Sequence, residues 1–323
     1  SHNACEVTQS RQKRINKICK RRIMKTYILE GTCTALSSIS HNGGEKNGTI
    51  VQLRREKFVQ PKGNVVEIPV ISGNSIRGKL RDLAAIDILT KKDGIKVQVD
   101  ADSFNLLFSG GSLESVGEKN LDIEKVRQLR KDIPMISVLG CSIGNVILPG
   151  KVDIGKMIPI CKETLHLIPE KFHGTEEIKT IWEYCQVEMN TRKDDTKDEN
   201  KREFIKPEYL TNELRGGQMM YHMETLVAGT RFYWKVCLRD TADIETGAFL
   251  STIQSWANQS SQVGGNGRVG HGKLKVDLTE TSVVDSEMEF TNSDFVTYID
   301  KAKEAKKDVT EFFEKGAAKT LFE

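Results

Sequence analysis

The sequence predicts an α+β fold, and three observations carry that prediction. Two runs rich in β-formers alternate in polarity, one from Lys25 and one from Thr230. Two others, opening at Gly73 and Asp243, switch to helical spacing. Long insertions separate these runs, so the regular strand–helix alternation of a doubly wound sheet is missing.

Taken in order, "KTYILEGTCTALSS" from Lys25 alternates as a strand, and "ISHNGGEKNGT" reads as a glycine loop. "VVEIPVIS" is a second strand. "GNSIRGKLRDLAAIDIL" follows as a helix with Ile76, Leu80, Leu83 and Ala84 on one face. "FNLLFSGGSLESVGEKN" is a short apolar segment ending in another glycine loop, and Ile133 to Ile168 reads as short strands and turns. "TRKDDTKDENKRE" (Thr191 to Glu203) is almost wholly charged and reads as a solvated loop at the tip of a hairpin. "TRFYWKVCLRD" is a strand with Phe232, Trp234, Val236 and Leu238 on one side, Lys235 and Arg239 on the other. A helix over "DIETGAFLSTIQSWANQ" groups Phe249, Ile253, Trp256 and Ala257, and "KLKVDL" is the last strand. The tail from Asn292 to Phe322 keeps Phe295, Ile299, Ala302, Val309 and Phe312 near one face, as a long docked helix does. Residues 24–323 read as one domain.

The formal charge of +3 is unevenly placed. Seven basic residues and one acid precede Met24; the remainder holds 41 basic and 44 acidic residues. The body therefore has no general positive field, and a polyanion would have to bind a local stripe. Residues 1–23 read as a basic arm or a cloning or upstream remnant. Seven scattered cysteines, never spaced as C-x-x-C, fit reduced thiols rather than a disulfide framework or a zinc knuckle. No apolar run is long enough to cross a bilayer and no secretory h-region is present, so a cytoplasmic protein without membrane contact is expected.

"GNGRVGHGKLKVDL", beginning at Gly265, satisfies two nucleotide-binding patterns: G-x-G-x-x-G, and most of a Walker A loop. Context argues against both. A dinucleotide fingerprint follows a strand and opens a helix, whereas here a helix precedes the loop and a strand leaves it. A Walker A loop needs Ser or Thr after its lysine, and this chain has Leu274. What remains is a set of backbone amides in Gly264, Gly265, Asn266 and Gly267, beside Arg268, His271 and Lys273, suited to an anion. A plain flexible turn is the alternative.

Two further segments share that character. In "ISGNSIRGKLRDL", Ser72, Asn74 or Ser75 caps a helix start at Gly73 whose free amides face a positive dipole end, with Arg77 and Arg81 as basic guards for a phosphate. An ordinary amphipathic helix with a solvated basic face is its alternative. "SHNGGEKNG" contributes His41, Asn42, Gly43, Gly44 and Lys46.

In this order, "YILEGTCTALSSISHNGG", "IPVISGNSIRGKLRDL", "FNLLFSGG", "METLVAGTRFYWKV" and "GGNGRVGHGKLKV" resemble the RAMP superfamily of CRISPR-associated proteins, specifically the guide-RNA-binding backbone subunit. Each motif is short and only the ordered set is specific; "SLESVG" and the spacing look most like type IV systems, with type III next. The resemblance implies a modified RRM-like (ferredoxin-like) core with inserted finger and thumb elements. It also implies a homo-oligomer stacked along guide (CRISPR) RNA. Further implied partners are other effector-complex subunits, an accessory helicase, and a target nucleic acid, DNA favoured, reached through guide pairing. By the same resemblance the glycine loop and the Ser72–Arg81 helix start hold RNA phosphates. The thumb candidate spans about 185–220, with Arg192, Lys193, Arg202, Met219 and Met220 toward the RNA.

One departure bears on activity. Type III backbones cut target RNA with an aspartate before the helix motif, but "NGTIVQLRREKFVQ" has none; Glu45 and Glu56 are the carboxylates of that region. The expectation is a subunit that binds without cutting and has no catalytic residue, metal or cofactor. The rival is a metal-independent endoribonuclease of the RAMP type that processes the guide precursor, with His41 or His271 as base. A module that binds other proteins and no nucleic acid is a third possibility, supported by the charge run alone.

Overall fold

The computed structural model describes residues 24–111, 123–143, 146–192, 204, 219–259, 261–284 and 292–315. The strands are β1 (Lys25–Ala35), β2 (Asn42–Asn47), β3 (Ile50–Leu53), β4 (Arg55–Val59), β5 (Val65–Pro69), β6 (Cys141–Ile143) and β7 (Val146–Leu148). They continue with β8 (Val152–Ile154), β9 (Ile158–Pro159), β10 (Cys185–Arg192), β11 (Met219–Leu226), β12 (Arg231–Thr241) and β13 (Leu274–Val284). The α-helices are α1 (Gly73–Ile88), α2 (Ala101–Phe104), α3 (Ile123–Asp132), α4 (Pro134–Leu139), α5 (Asp243–Gln259) and α6 (Asn292–Glu314).

The main sheet runs β13-β1-β12-β8, with β9 also on β12, and every pairing in it is antiparallel. Two split β-α-β units interlock to make it. The unit β1-α1-β8 leaves a gap filled by β12, and the unit β12-α5-β13 leaves a gap filled by β1. This is the α+β, RRM-like (ferredoxin-like) arrangement.

Period-2 alternation decides the faces. Tyr27, Leu29, Cys33 and Ala35 of β1 join Phe232, Trp234, Val236 and Leu238 of β12 beneath the helices. Ile76, Leu80 and Ala84 of α1 and Phe249, Ile253 and Trp256 of α5 complete that core, and the Trp234 and Trp256 rings meet edge-on at 5.8 Å. The last helix packs on α5, with Tyr298, Val309 and Phe313 buried. A Cβ at Gly247 would overlap the Tyr298 carbonyl, so this packing depends on glycine.

The other face of the sheet is closed to stacking. A satellite cluster of Ile160, Ile168, Phe172 and Tyr233 covers β12, with the Phe172 and Tyr233 rings 5.3 Å apart. Beside it Glu30 accepts from the Tyr233 hydroxyl and faces Lys235 at 3.6 Å, and Lys275 pairs with Asp277 at 3.0 Å. RRM modules stack bases on exposed aromatics of this face; here it presents ion pairs and one covered tyrosine.

A second sheet, β10-β11-β3-β2, stands on the insertions, and β11 runs parallel to β3 through His222↔Ile50 and Met223↔Val51. Within it "NGGEKN" is a strand rather than a loop. Its register slips between Asn42 and Lys46, where Gly44 has φ 86°, and a two-residue turn at Gly48 (φ 61°) returns the chain to β3. Among the described residues no helix is long and apolar enough to cross a membrane. Cys33, Cys141, Cys161, Cys185 and Cys237 are free thiols. Cys5, Cys19 and the whole basic arm, residues 1–23, lie outside the described residues.

Candidate nucleic-acid interface

Three segments distant in sequence meet where β1 ends and β13 begins. The chain leaving β1, Leu36 to Asn42, forms the scaffold. Ser37 Oγ accepts from the Lys273 amide (3.0 Å), the Ser38 carbonyl from the Gly272 amide (2.8 Å), and the Ser40 carbonyl from the Gly265 amide (2.7 Å). Asn266, itself left-handed at φ 57°, donates Nδ2 to Ser40 Oγ (3.2 Å). One residue on, His41 Nε2 accepts the backbone N–H of Ser72 (3.2 Å), the N-cap of α1. The Ser72 hydroxyl in turn accepts from the Ser75 amide (3.2 Å). A continuous relay of hydrogen bonds therefore joins the glycine loop, the His41 loop and the helix start.

The glycines serve this docking as much as any ligand. At Gly264 (φ 72°) a Cβ would overlap the Ser40 carbonyl oxygen, and at Gly272 (φ 85°) the Val263 carbonyl oxygen. Gly270 (φ 98°) has open space around its missing Cβ. Gly272→Ala is therefore expected to cost at least about 2 kcal/mol, combining left-handed backbone with a carbonyl clash, against about 1 kcal/mol for Gly270→Ala. Thermal melts of the two variants side by side test this, and equal losses would show that the clash is not felt. The amides of Gly265, Gly270, His271 and Gly272 already bond within the protein, so those four are not bare. The first-turn amides of Gly73 and Asn74 have no intrahelical acceptor, and α1 has no acid in its first turn.

Exposed cations lie on the segments that meet here. Arg268 and Lys273 are exposed on the loop, and Lys46 is exposed on β2. Sequence reasoning passed over a fourth cation, Arg54, exposed beside His41, whose carbonyl accepts the Arg54 amide (2.8 Å). Among the described residues none of these four has a carboxylate partner. The neighbouring Arg55 does: its guanidinium grips both oxygens of Glu224, Nη1 to Oε2 at 2.7 Å. Consecutive residues in extended backbone point oppositely, so "RR" after an alternating run was the available signal.

Arg77 and Arg81 fall elsewhere than helical spacing suggests. Arg77 donates to the Leu139 carbonyl, and Arg81 to Leu139 (3.3 Å) and Gly140 (2.9 Å), so both forks cap the C-terminus of α4. Burial lowers the pKa of both, and for Arg81 the adjacent Arg77 charge adds to it. They fasten α1 to α4 rather than guard its first turn.

The thumb candidate is an antiparallel pair, β10 with β11, from Cys185↔Leu226 to Arg192↔Met219. Met220 is exposed; Lys193 and Arg202 lie outside the described residues, as do the side chains of Arg192 and Met219. The pair is tied to the glycine loop. His271 Nε2 stands 3.4 Å from Glu188 on β10, and Asn266 Nδ2 stands 3.4 Å from Met223 Sδ on β11. Burial pushes the Glu188 carboxyl up, but hydrogen bonds from Ser38, Thr225 and Gln186, with the His271 imidazole, hold it below the ordinary carboxylate range.

His41 is held neutral. Burial first, then the Arg54 charge, lowers its pKa below the usual 6.5. Since the folded value lies below the unfolded one, its contribution to stability is complete above pH 6.5 and is lost as pH falls through the folded pKa. Protonation also removes the acceptor for the Ser72 amide. Wild type should thus lose more melting temperature than His41→Ala between pH 7 and 5, by the equivalent of about 1 kcal/mol. Parallel pH dependences would contradict it.

Glu56, one of the two carboxylates before the helix motif, is paired with Lys156; the Glu45 side chain lies outside the described residues. Among the described residues no group of three His, Cys, Asp or Glu is arranged to hold a metal ion.

Comparison with known proteins gives a likeness at the level of the fold. No family model matches the chain, and no curated protein matches it. A chain in a solved structure described as a type IV-B CRISPR complex is similar in fold, with a TM-score of 0.51 and 20% sequence identity. The similarity covers 82% of this chain and 93% of that one.

Proposed function

We propose that this chain is a non-catalytic backbone subunit of a type IV CRISPR effector complex, holding guide RNA through phosphate contacts that ignore base identity. The observation that carries the reading is the hydrogen-bond relay that gathers the glycine loop, the His41 loop and the α1 start into one place. Four exposed cations without a carboxylate partner among the described residues, Lys46, Arg54, Arg268 and Lys273, lie on or beside the segments it joins. Such a set contacts phosphate and sugar and offers no fixed array of base-reading amides, as a carrier of any guide requires. Specificity would then come from guide–target pairing, with DNA the favoured target. The fold-level likeness to a chain of a type IV-B CRISPR complex supports the same assignment. Copies of the chain would line up along one RNA beside other subunits of the complex, with an accessory helicase as a further partner.

The test is what comes with the purified protein. RNA of discrete length, stripped progressively by salt, is expected. A nucleic-acid-free monomer at low salt contradicts the reading.

One observation supports the ribonuclease alternative: the buried His271 imidazole is backed by Glu188, and its Nδ1 has no partner among the described residues. His41 is the weaker base, because its lone pair already takes the Ser72 amide. Precursor RNA incubated with the protein in EDTA should stay intact; cleavage that His271→Ala abolishes would replace the scaffold reading with this one.

A further inference from the structure

At the opposite end of the main sheet lies a second basic site. A cleft of about 570 Å³ opens between the start of β1, the end of β12, the C-terminal half of α3 and the turn before β8. Arg127, Arg130, Lys131, Lys151 and Arg239 line it, against the acids Asp240 and Glu245. The eleven residues of β1 separate it from the glycine loop, about 35 Å at the usual strand rise. It is not an extension of the first site.

Among the lining residues five cations stand against two acids. Glu245 is fully committed: both its oxygens bond Lys151 Nζ (2.9 and 2.7 Å), and it also accepts from Ser137 Oγ and the Ala242 amide. That pair is buried and cancels. The partners of the rim arginines are Glu124 for Arg127 and Asp153 for Arg239, in pairs whose side chains are all more than half exposed. Such pairs hold weakly and exchange readily. Among the described residues Lys131 has no carboxylate partner. Arg130 spends Nη2 on the Pro149 carbonyl (3.1 Å), while its Nε is buried without an acceptor among the described residues.

A simpler account exists for part of this. Arg130 and Lys131 occupy the last turn of α3, where positive charge balances the helix dipole. That explains two of the five cations but not Arg239, which comes from β12, nor the unmet Nε of Arg130. Met24, Pro149 and Ala242 are the apolar parts of the wall. A protein partner would need larger apolar anchors there. Arginine forks around a hollow whose apolar walls are small side chains and aliphatic stems suit phosphate groups.

We propose that this cleft binds the sugar-phosphate backbone of a second single-stranded polynucleotide segment, separate from the strand held at the glycine loop. The proposal goes beyond the function above: that the segment is a second one rests on that reading, while binding at the cleft does not.

Its test uses the full chain carrying Arg268→Glu and Lys273→Glu, so that the first site is disabled. A uridine RNA of about 15 nucleotides containing 4-thiouridine is the probe, at about 50 mM salt. Residual binding is expected by anisotropy, with cross-links in the peptides holding Arg127–Lys131 and Arg239. Adding Arg127→Glu and Lys131→Glu should weaken that binding at least about tenfold, and Arg239→Gln alone about threefold. All three positions are exposed, and an unchanged melting temperature confirms that folding is intact. No residual binding, cross-links confined to other peptides, or affinity unmoved by these variants each overturns the proposal. So does a polyglutamate peptide that binds in a variant-sensitive way while the RNA does not, which would make the cleft a site for acidic protein. Loss of glycine-loop binding with the cleft intact, or the reverse, separates the two sites.

Discussion

Arg268→Glu combined with Lys273→Glu is expected to weaken single-stranded RNA binding by at least about a hundredfold at near-physiological salt. Both side chains are exposed and free of carboxylates among the described residues, so neither contributes an ion pair to the fold. On a single strand, each phosphate that is no longer neutralised takes roughly 0.7 off the slope of log affinity against log salt, so the slope should fall by about 1.4. Reversing the charge also introduces repulsion, which makes about tenfold per position a conservative figure. Stability should barely change, by about 0.5 kcal/mol or less, as for other exposed positions. Anisotropy titrations over a salt series read both quantities. A large loss of affinity with an unchanged slope would mean that the variant acts through conformation, not phosphate.

The largest expected loss of stability lies at Glu245, at the start of α5. Its carboxylate reaches back to the Ala242 amide (2.8 Å), capping the helix, accepts Ser137 Oγ from α4 (2.6 Å), and pairs with Lys151 before β8. The side chains are 7% and 14% exposed. Removing one partner strands a buried ammonium, which costs about 3–5 kcal/mol, and uncaps the helix as well. Glu245→Ala should therefore unfold at a much lower urea concentration or, in a marginal background, fail to fold. Glu245→Gln, which keeps the cap and the hydroxyl bond, should lose less. A loss under about 1 kcal/mol for the alanine variant would show that Lys151 swings out to solvent.

The parts of the fold legible in the sequence are those whose burial is one-sided. β1 and β12 alternate, and the residues that spacing groups, Phe232, Trp234, Val236 and Leu238, are all fully buried together. The faces of α1 and α5 are legible for the same reason, although Leu83 is only half buried and Ala85 and Ile88 take its place in the core. In α6 the stripe is shifted by one residue, with Phe313 in the core and Phe312 at its edge. By contrast "PMISVL" is buried on every side, so it has no period, and its helix, α4, is indistinguishable in sequence from short strands and turns. The β2 strand is hidden because its glycines serve a bulge and a turn, which in sequence look like a loop.

The site is legible in its pieces and not in its wiring. Glycine at positive φ and a serine N-cap leave marks in sequence, which is why Gly264 and Ser72 stand out. Which amides are already satisfied depends on carbonyls far away along the chain, Ser40 for Gly265, and nothing local encodes it. Arginine roles are equally non-local. Arg77 and Arg81 carry the same helical spacing whether they meet a phosphate or the end of another helix, and only the position of Leu139 decides.

A structure of the protein with its bound RNA tests the central claim most directly. The account predicts phosphate oxygens within about 3 Å of Arg268, Lys273 and the first-turn amides of α1, with bases turned away from the protein. RNA lying instead across the outer face of the main sheet, over Tyr233 and Glu30, would contradict it.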